Sequence, residues 1–320
     1  RTDKDPAPGP NEVLVRVRAN ALNHRDLNVL KGRYRVTLKS GVIPLSDGAG
    51  EVVAIGTRVT RVKVGDRVAA MFFQRWIGGR MEPDYLRSDL GGSMDGMLTE
   101  LAVLDEEGVV LVPEHLSFEE ATTLPCAAVT AWASLAERVP VTAGEVVLTM
   151  GSGGVSVFAL QFAKLFGARV IATTSSAEKA NRLRALGADE VINYRETPDW
   201  EREVSRLTGG RGVDHVVEMG GPATLARSLK CLGLGGHIVI VGVLGGAGQM
   251  LDPTLLRGKG VTLRAISVGS RQSFEAMNRA LELHRLRPVI DRAFAFSEAG
   301  KAYQHLESQQ HFGKVVISAD

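Results

Sequence analysis

Val146-Val147-Leu148-Thr149-Met150-Gly151-Ser152-Gly153-Gly154-Val155-Ser156 is the stretch on which the fold turns. Its first five residues are a nearly unbroken apolar run, the pattern of a strand buried on both faces. Beyond Val155 a mostly apolar segment continues to Phe166 and stops at Gly167, which reads as a helix. Strand, glycine turn and helix in that order are the context in which a Gly-x-Gly-x-x-Gly loop cradles a dinucleotide. Gly151 permits the tight turn. Gly153 removes a side chain where a pyrophosphate must approach the backbone. Ser152, Gly154 and Val155 complete a loop whose free N–H groups lie at the positive end of the helix. Ser156 stands where the fingerprint's third glycine packs helix on strand.

Downstream the alternation repeats. A strand over 169–173 precedes a capping box, Ser175-Ser-Ala-Glu178, and a helix ending at Gly187. Further strands are expected at 190–193, 213–218, 237–241 and 261–266. This strand–helix alternation predicts an α/β fold with a doubly wound parallel sheet. Upstream the grammar differs. Residues 13–18 alternate, β-branched runs occupy 52–55 and 59–64, and Gly65-Asp66-Arg67-Val68 restarts a strand, so the first region reads as short strands of a β-rich domain. Residues 71–98 are irregular. A capping box at Ser117-Phe-Glu-Glu120 opens a helix, Pro125 interrupts it, and a second helix runs over 126–138. The tail reads as a helix over 274–287, a helix from Ser297 and a last strand over 314–318.

Composition narrows the function. Thirty-six glycines in 320 residues exceed ordinary usage. Two cysteines cannot build a Cys₄ zinc site or a disulfide framework. Lys+Arg minus Asp+Glu is 38 − 36 = +2, which gives no footprint for nucleic acid. Apolar runs fall short of the roughly 20 residues of a membrane span. The opening decapeptide reads as a loop entering a strand, not a signal segment. A cytoplasmic enzyme with a small-molecule substrate is expected, with neither nucleic acid nor membrane as partner.

The end of the second strand of the parallel sheet reports on the dinucleotide. NAD binders place a carboxylate there, roughly 20 residues past the loop, for the ribose hydroxyls. This chain has Thr173-Thr174-Ser175-Ser176, with Lys179 one turn into the next helix and Tyr194-Arg195 after the third strand. Hydroxyls and a lysine accept a 2′-phosphate that a carboxylate would repel. The expected cofactor is NADP rather than NAD.

These segments, together with Leu124-Pro125-Cys126, Thr130-Ala-Trp132, Ala185-Leu186-Gly187-Ala188-Asp189 and the ending Phe312-Gly313-Lys314-Val315-Val316-Ile317, resemble the medium-chain dehydrogenase/reductase superfamily over essentially the whole chain. The resemblance implies a GroES-like catalytic domain from 1–120 and 267–320 around a Rossmann domain over 121–266, and a homodimer or homotetramer. It implies that Gly220 lies near the adenosine, that Val241-Gly242-Val243 and Val268-Gly269-Ser270 approach the carboxamide, and that Thr130 touches the nicotinamide or its ribose. Zinc members hold their metal with Cys, His and Cys. Their positions fall here at Asn23, Ser46 and Cys126, so two of three ligands are gone and no zinc is expected. The structural zinc lobe would lie in 71–98, which holds no cysteine.

Without zinc, preorganised donors must steady the oxygen that gains charge. Asn23 offers an amide, Thr130 a hydroxyl and Arg25 a fixed charge. Asp26 would orient Arg25 or relay a proton, and Ser46 lies where the metal site was. The implied activity is NADPH-dependent, zinc-free reduction of quinones or other activated carbonyl or alkene acceptors. The alternatives are a zinc-free alcohol dehydrogenase and a nucleotide-binding protein without catalysis.

Overall fold

The computed structural model describes residues 5–34, 37–245 and 254–319; the first four residues of the opening loop lie outside them. The chain divides into two compact units, residues 1–129 with 268–320, and residues 130–267.

The first unit opens with β1 (Glu12–Ala21), whose alternation sends Val13, Val15 and Val17 into the core. α1 (His24–Leu30) follows, then β2 (Asp47–Ile55), β3 (Arg67–Ala70), β4 (Leu101–Asp105) and β5 (Val109–Leu111). The β-branched run at 59–64 is not the expected strand but an irregular connection. Its N–H groups are claimed by a side chain instead of a ladder: Thr60 and Arg61 both donate to Glu106 Oε2 at 2.8 Å. The capping box at Ser117 forms as read, but α2 (Phe118–Ala121) is a single turn. The second helix begins as a π-helical stretch, Leu124–Ala128, before becoming α3 (Val129–Ala136).

The second unit runs β6 (Val146–Met150), α4 (Gly154–Leu165), β7 (Arg169–Thr174), α5 (Ala177–Ala185), β8 (Glu190–Asn193) and α6 (Trp200–Leu207). It continues with β9 (Val213–Glu218), α7 (Leu225–Cys231), β10 (Leu232–Ile240), α8 (Thr254–Arg257) and β11 (Thr262–Ala265). All pairings are parallel, in the order β11-β10-β9-β6-β7-β8. This is the doubly wound order, and the strand sequence reverses between β6 and β9, where such sheets bind ligands at their carboxyl ends. α5 starts one residue later than the sequence pattern suggests. Ser176, in extended conformation, is the N-cap and accepts from Lys179 N. Phe158 and Phe162 of α4 are buried, and Trp132 meets Phe162 edge-on with centroids 5.5 Å apart.

The chain then returns to the first unit with α9 (Arg271–His284), β12 (Ile290–Ala295), α10 (Ala299–Glu307) and β13 (Lys314–Ser318). β13 lies parallel to β12 and antiparallel to β1, with Ala21 opposite Val316. The resulting sheet has the path β12-β13-β1-β2-β3-β5, with β4 also on β1. This closure by the C-terminal strand sets Lys314 beside the end of β1.

Candidate active site

In the second unit the turn after β6 has the shape the glycine spacing requires. Gly151 sits at φ +80°, where a side chain is strained, and its N–H goes to Thr173 O at 3.0 Å. Gly153 is the N-cap of α4 and brings no side chain to it, so the first-turn N–H groups are not consumed by a cap. Ser152 is buried beside it. Ser156 replaces the third glycine without loosening the turn, because its hydroxyl donates to Met150 O at 2.6 Å and ties helix to strand.

At the end of β7, Thr174 is buried and its Oγ1 has no hydrogen-bond partner. Its carbonyl accepts from the N–H of Tyr194, whose side chain is exposed. Ser175 and Lys179 are half-buried. An orphaned hydroxyl at the strand end where NAD binders carry an acid is a donor set suited to phosphate oxygens.

At the end of β9, Glu218 is fully buried and gathers the following loop. It accepts from Gly220 N at 2.7 Å, Gly221 N at 3.0 Å, Thr224 Oγ1 at 2.6 Å and Ser228 Oγ. Val241 N and Gly242 N turn back to Glu218 O. A Cβ on Gly242 would meet Met219 O at 2.6 Å, so only glycine lets these two strand ends lie together. Thr130 is buried in α3.

In the first unit, the loop before α9 carries Val268 at φ +64°, an unusual place for a β-branched residue and a local store of strain. Ser270 then caps α9 through Ser273 N.

Of the residues expected around the oxygen, Asn23 caps α1, Arg25 and Asp26 lie on it and Ser46 immediately precedes β2, all in the first unit, while Thr130 belongs to the second. Asn23 lies two residues past β1, and Asp26 Oδ2 accepts its N–H at 2.7 Å. Ser46 donates to Asp47 Oδ1 at 2.9 Å, and both are fully buried. Lys314, 3% exposed, spends its three N–H donors on Leu22 O at 2.7 Å, Asn23 Oδ1 at 2.7 Å and Asp47 Oδ2 at 3.5 Å. Asn23 Nδ2 is buried and has no partner. Burial, then the Asp47 carboxylate, pushes the Cys126 thiol far up, so it stays neutral.

Arg25 is committed to structure more than the sequence reading allows. It donates to Asp89 Oδ2 at 2.8 Å and Leu90 O at 2.7 Å, and lies between the rings of Tyr34 and Phe72. Its guanidinium ties down the 89–91 loop, leaving only Nε without a partner.

Residues 9–114 match the alcohol dehydrogenase GroES-like domain family, and residues 154–282 match the zinc-binding dehydrogenase family. The chain is 41% identical, over 97% of its length and 92% of the relative's, to a zinc-type alcohol dehydrogenase-like protein of Schizosaccharomyces pombe. It is 35% identical to a quinone oxidoreductase of Pseudomonas aeruginosa, over 98% of this chain and 94% of that one. Among solved structures, an NAD-dependent alcohol dehydrogenase aligns with TM-score 0.90 at 36% identity, covering 100% and 95% of the two chains. A quinone oxidoreductase of Pseudomonas syringae pv. tomato DC3000 aligns with TM-score 0.82 at 30% identity, covering 99% and 94%. The chain belongs to the medium-chain dehydrogenase/reductase superfamily. It is an NAD(P)-dependent oxidoreductase.

The superfamily's dinucleotide fits the residues present: an open glycine turn, an uncapped helix start and an orphaned hydroxyl at the β7 end. Its zinc does not fit. Among the described residues no group of three His, Cys, Asp or Glu could hold a metal. At the three superfamily positions stand a neutral thiol, a hydroxyl given to Asp47 and an amide oxygen already held by an ammonium. A dication there would face Lys314 at close range.

Lys314, Glu218, Tyr34 and Asp89 were not singled out as site residues in the sequence. Lys314 had a usable signal: one cation opening an otherwise apolar strand, Lys314-Val315-Val316-Ile317. Such a residue is rarely buried without a partner. The other three depend on long-range packing and leave no local pattern.

Asp26 gives a pH prediction for this medium-chain dehydrogenase/reductase. Burial raises its carboxyl from 3.8 to about 6, against the opposing pull of Arg25. A raised acid favours the native state when protonated. Its contribution is therefore fully present below pH 4 and is lost as pH rises through 6, a change of about 3 kcal/mol. Asp26→Asn keeps an acceptor for Asn23 N–H and removes that titration. Its stability relative to the parent should rise between pH 4 and pH 7.5 in urea melts. A pH-independent difference would show that Asp26 titrates normally.

Proposed function

We propose that this protein transfers hydride from NADPH to a quinone or another activated carbonyl or alkene acceptor, with no catalytic zinc. The observation that carries the reading is the buried Lys314–Asn23–Asp47 arrangement, which takes up the donors a metal would need and leaves one amide N–H group unsatisfied. NADPH, when bound, supplies the hydride. Asn23 Nδ2 donates a hydrogen bond to the acceptor oxygen as charge gathers there. Delocalised charge on a quinone or enone takes its proton from water, so no dedicated acid is required. Thr174, Ser175, Lys179 and Tyr194 hold the adenosine 2′-phosphate. Gly151 to Val155 hold the pyrophosphate and Gly220 borders the adenosine. Val241-Gly242-Val243, Val268-Gly269-Ser270 and Thr130 are assigned to the nicotinamide end, following the superfamily resemblance.

The test is NADPH oxidation over a panel of quinones, enones and aldehydes, after dialysis against a chelator. Full activity is expected after chelation, with no gain on adding Zn²⁺. Activity that disappears with the metal and returns with it would refute the zinc-free reading, and no turnover with any acceptor would refute the reductase reading.

Asp26 favours a second reading. A buried carboxyl titrating at about 6 can serve as the base that alcohol oxidation needs. NADP⁺ reduction by simple secondary alcohols, rising in rate through pH 6, would select that reading.

We place the enzyme in the cytoplasm, since neither cysteine is in a disulfide. Among the described residues no helix is long and apolar enough to cross a membrane. We assign the open edge of β11, where Leu263 is exposed, to pairing in a homodimer, to be checked by sedimentation.

A further inference from the structure

We propose that Lys314 is a positioning residue that fixes the orientation of the Asn23 amide, and thereby its Nδ2 as the donor to the substrate oxygen. This rests on the reading of Asn23 just given. A side-chain amide has two faces of similar shape, one accepting and one donating, and packing alone does not choose between them. An ammonium does choose, because it has three donors and no acceptor. Whichever amide atom lies 2.7 Å from Lys314 Nζ must be the oxygen. The NH₂ group then points away from Lys314, and it is the buried polar group left without a partner.

The lysine itself has no freedom to do otherwise. Its remaining donors are taken by Leu22 O and Asp47 Oδ2. Asp47 is in turn held by Ser46 Oγ. Lys314 and Asp47 are both buried, and a buried ion pair is seldom the most stable filling for its volume. What this pair supplies is a fixed amide and a positive charge on its oxygen side. That charge polarises Asn23 toward stronger donation from Nδ2, in a setting of low dielectric where polarisation along hydrogen bonds is effective. Ser46, Asp47 and Lys314 thus act on the substrate oxygen only through Asn23.

Two variants probe this without leaving a lone buried charge. Lys314→Met combined with Asp47→Asn removes both ions. Lys314→Gln, again combined with Asp47→Asn, keeps a polar group that can present either an acceptor or a donor to Asn23, so the ammonium no longer enforces the orientation. For each, kcat with the best acceptor should fall about 10- to 100-fold, while NADPH affinity, read by cofactor fluorescence, stays within twofold. In an Asn23→Ala background the same changes should cost less than twofold more. The ¹H–¹⁵N signals of the Asn23 side-chain NH₂, identified by their loss in Asn23→Ala, should shift and broaden in both variants. Unchanged kcat in folded variants, or an equal further loss in the Asn23→Ala background, overturns the proposal while leaving Asn23 as donor intact. Parental kcat in Asn23→Ala alone overturns the underlying reading, and the inference with it.

Discussion

Asn23→Ala should lower kcat for quinone or enone reduction by about 10²- to 10³-fold, the usual cost of one lost oxyanion donor. The side chain makes one hydrogen bond to another side chain, from Lys314 Nζ to Oδ1, beside its acceptor part in the capping box with the Asp26 N–H, and holds one group, Nδ2, in reserve. Truncation to alanine removes all three. The stability cost should be small, about 1 kcal/mol for the bond to a charged donor and the altered cap. Asp26 still accepts the residue 23 N–H from its own side chain, so α1 keeps that half of its N-terminal lock. The kinetic signature separates the donor role from general damage. An interaction that strengthens as the oxygen gains charge lowers kcat and kcat/KM together, whereas lost ground-state binding raises KM alone. Asn23→Asp should be at least as inactive, because it replaces the donor with a carboxylate that repels the developing charge. A folded Asn23→Ala enzyme with parental kcat would remove Asn23 from the chemistry.

The sequence carried the second unit further than the first. β6, β8 and β9 lie where they were expected, residue for residue; β6, buried at every position, shows why, because a strand buried on both faces leaves an uninterrupted apolar pattern. Residues 59–64 carry the same β-branched composition but form no strand, and Glu106, more than forty residues away, takes the N–H groups of Thr60 and Arg61. The capping-box reading at Ser175 missed by one residue because β7 extends through Thr174 before the chain turns. At the site, residue type alone says that Asn23 and Ser46 are poor zinc donors. It does not say what holds them. Lys314 reaches Asn23 across 291 positions, and only the pairing of β13 with β1 brings them together. Arg25 shows the converse. Its type suggested a charge for the substrate, yet Asp89, Leu90 and two aromatic rings occupy most of it.

Thr174→Asp should raise the KM for NADPH by about 100-fold or more and leave NADH the better substrate. Thr174 closes β7 at the position where a carboxylate selects the free ribose, and its hydroxyl is buried without a partner. A carboxylate about 4 Å from a 2′-phosphate is opposed by roughly 4 kcal/mol per unit charge at an effective dielectric of 20, before screening. Salt and partial exposure reduce that figure, and a hundredfold change needs only about 2.7 kcal/mol. The same carboxylate can accept both ribose hydroxyls of NADH, so the loss with one cofactor should be accompanied by a gain with the other. Lys179→Ala should move in the same direction by a smaller factor and should flatten the salt dependence of NADPH binding, because it removes attraction without adding repulsion. The parent enzyme supplies the decisive control. A parental kcat/KM higher with NADH than with NADPH would mean that the hydroxyls at the end of β7 do not read the phosphate, and the cofactor assignment would fall.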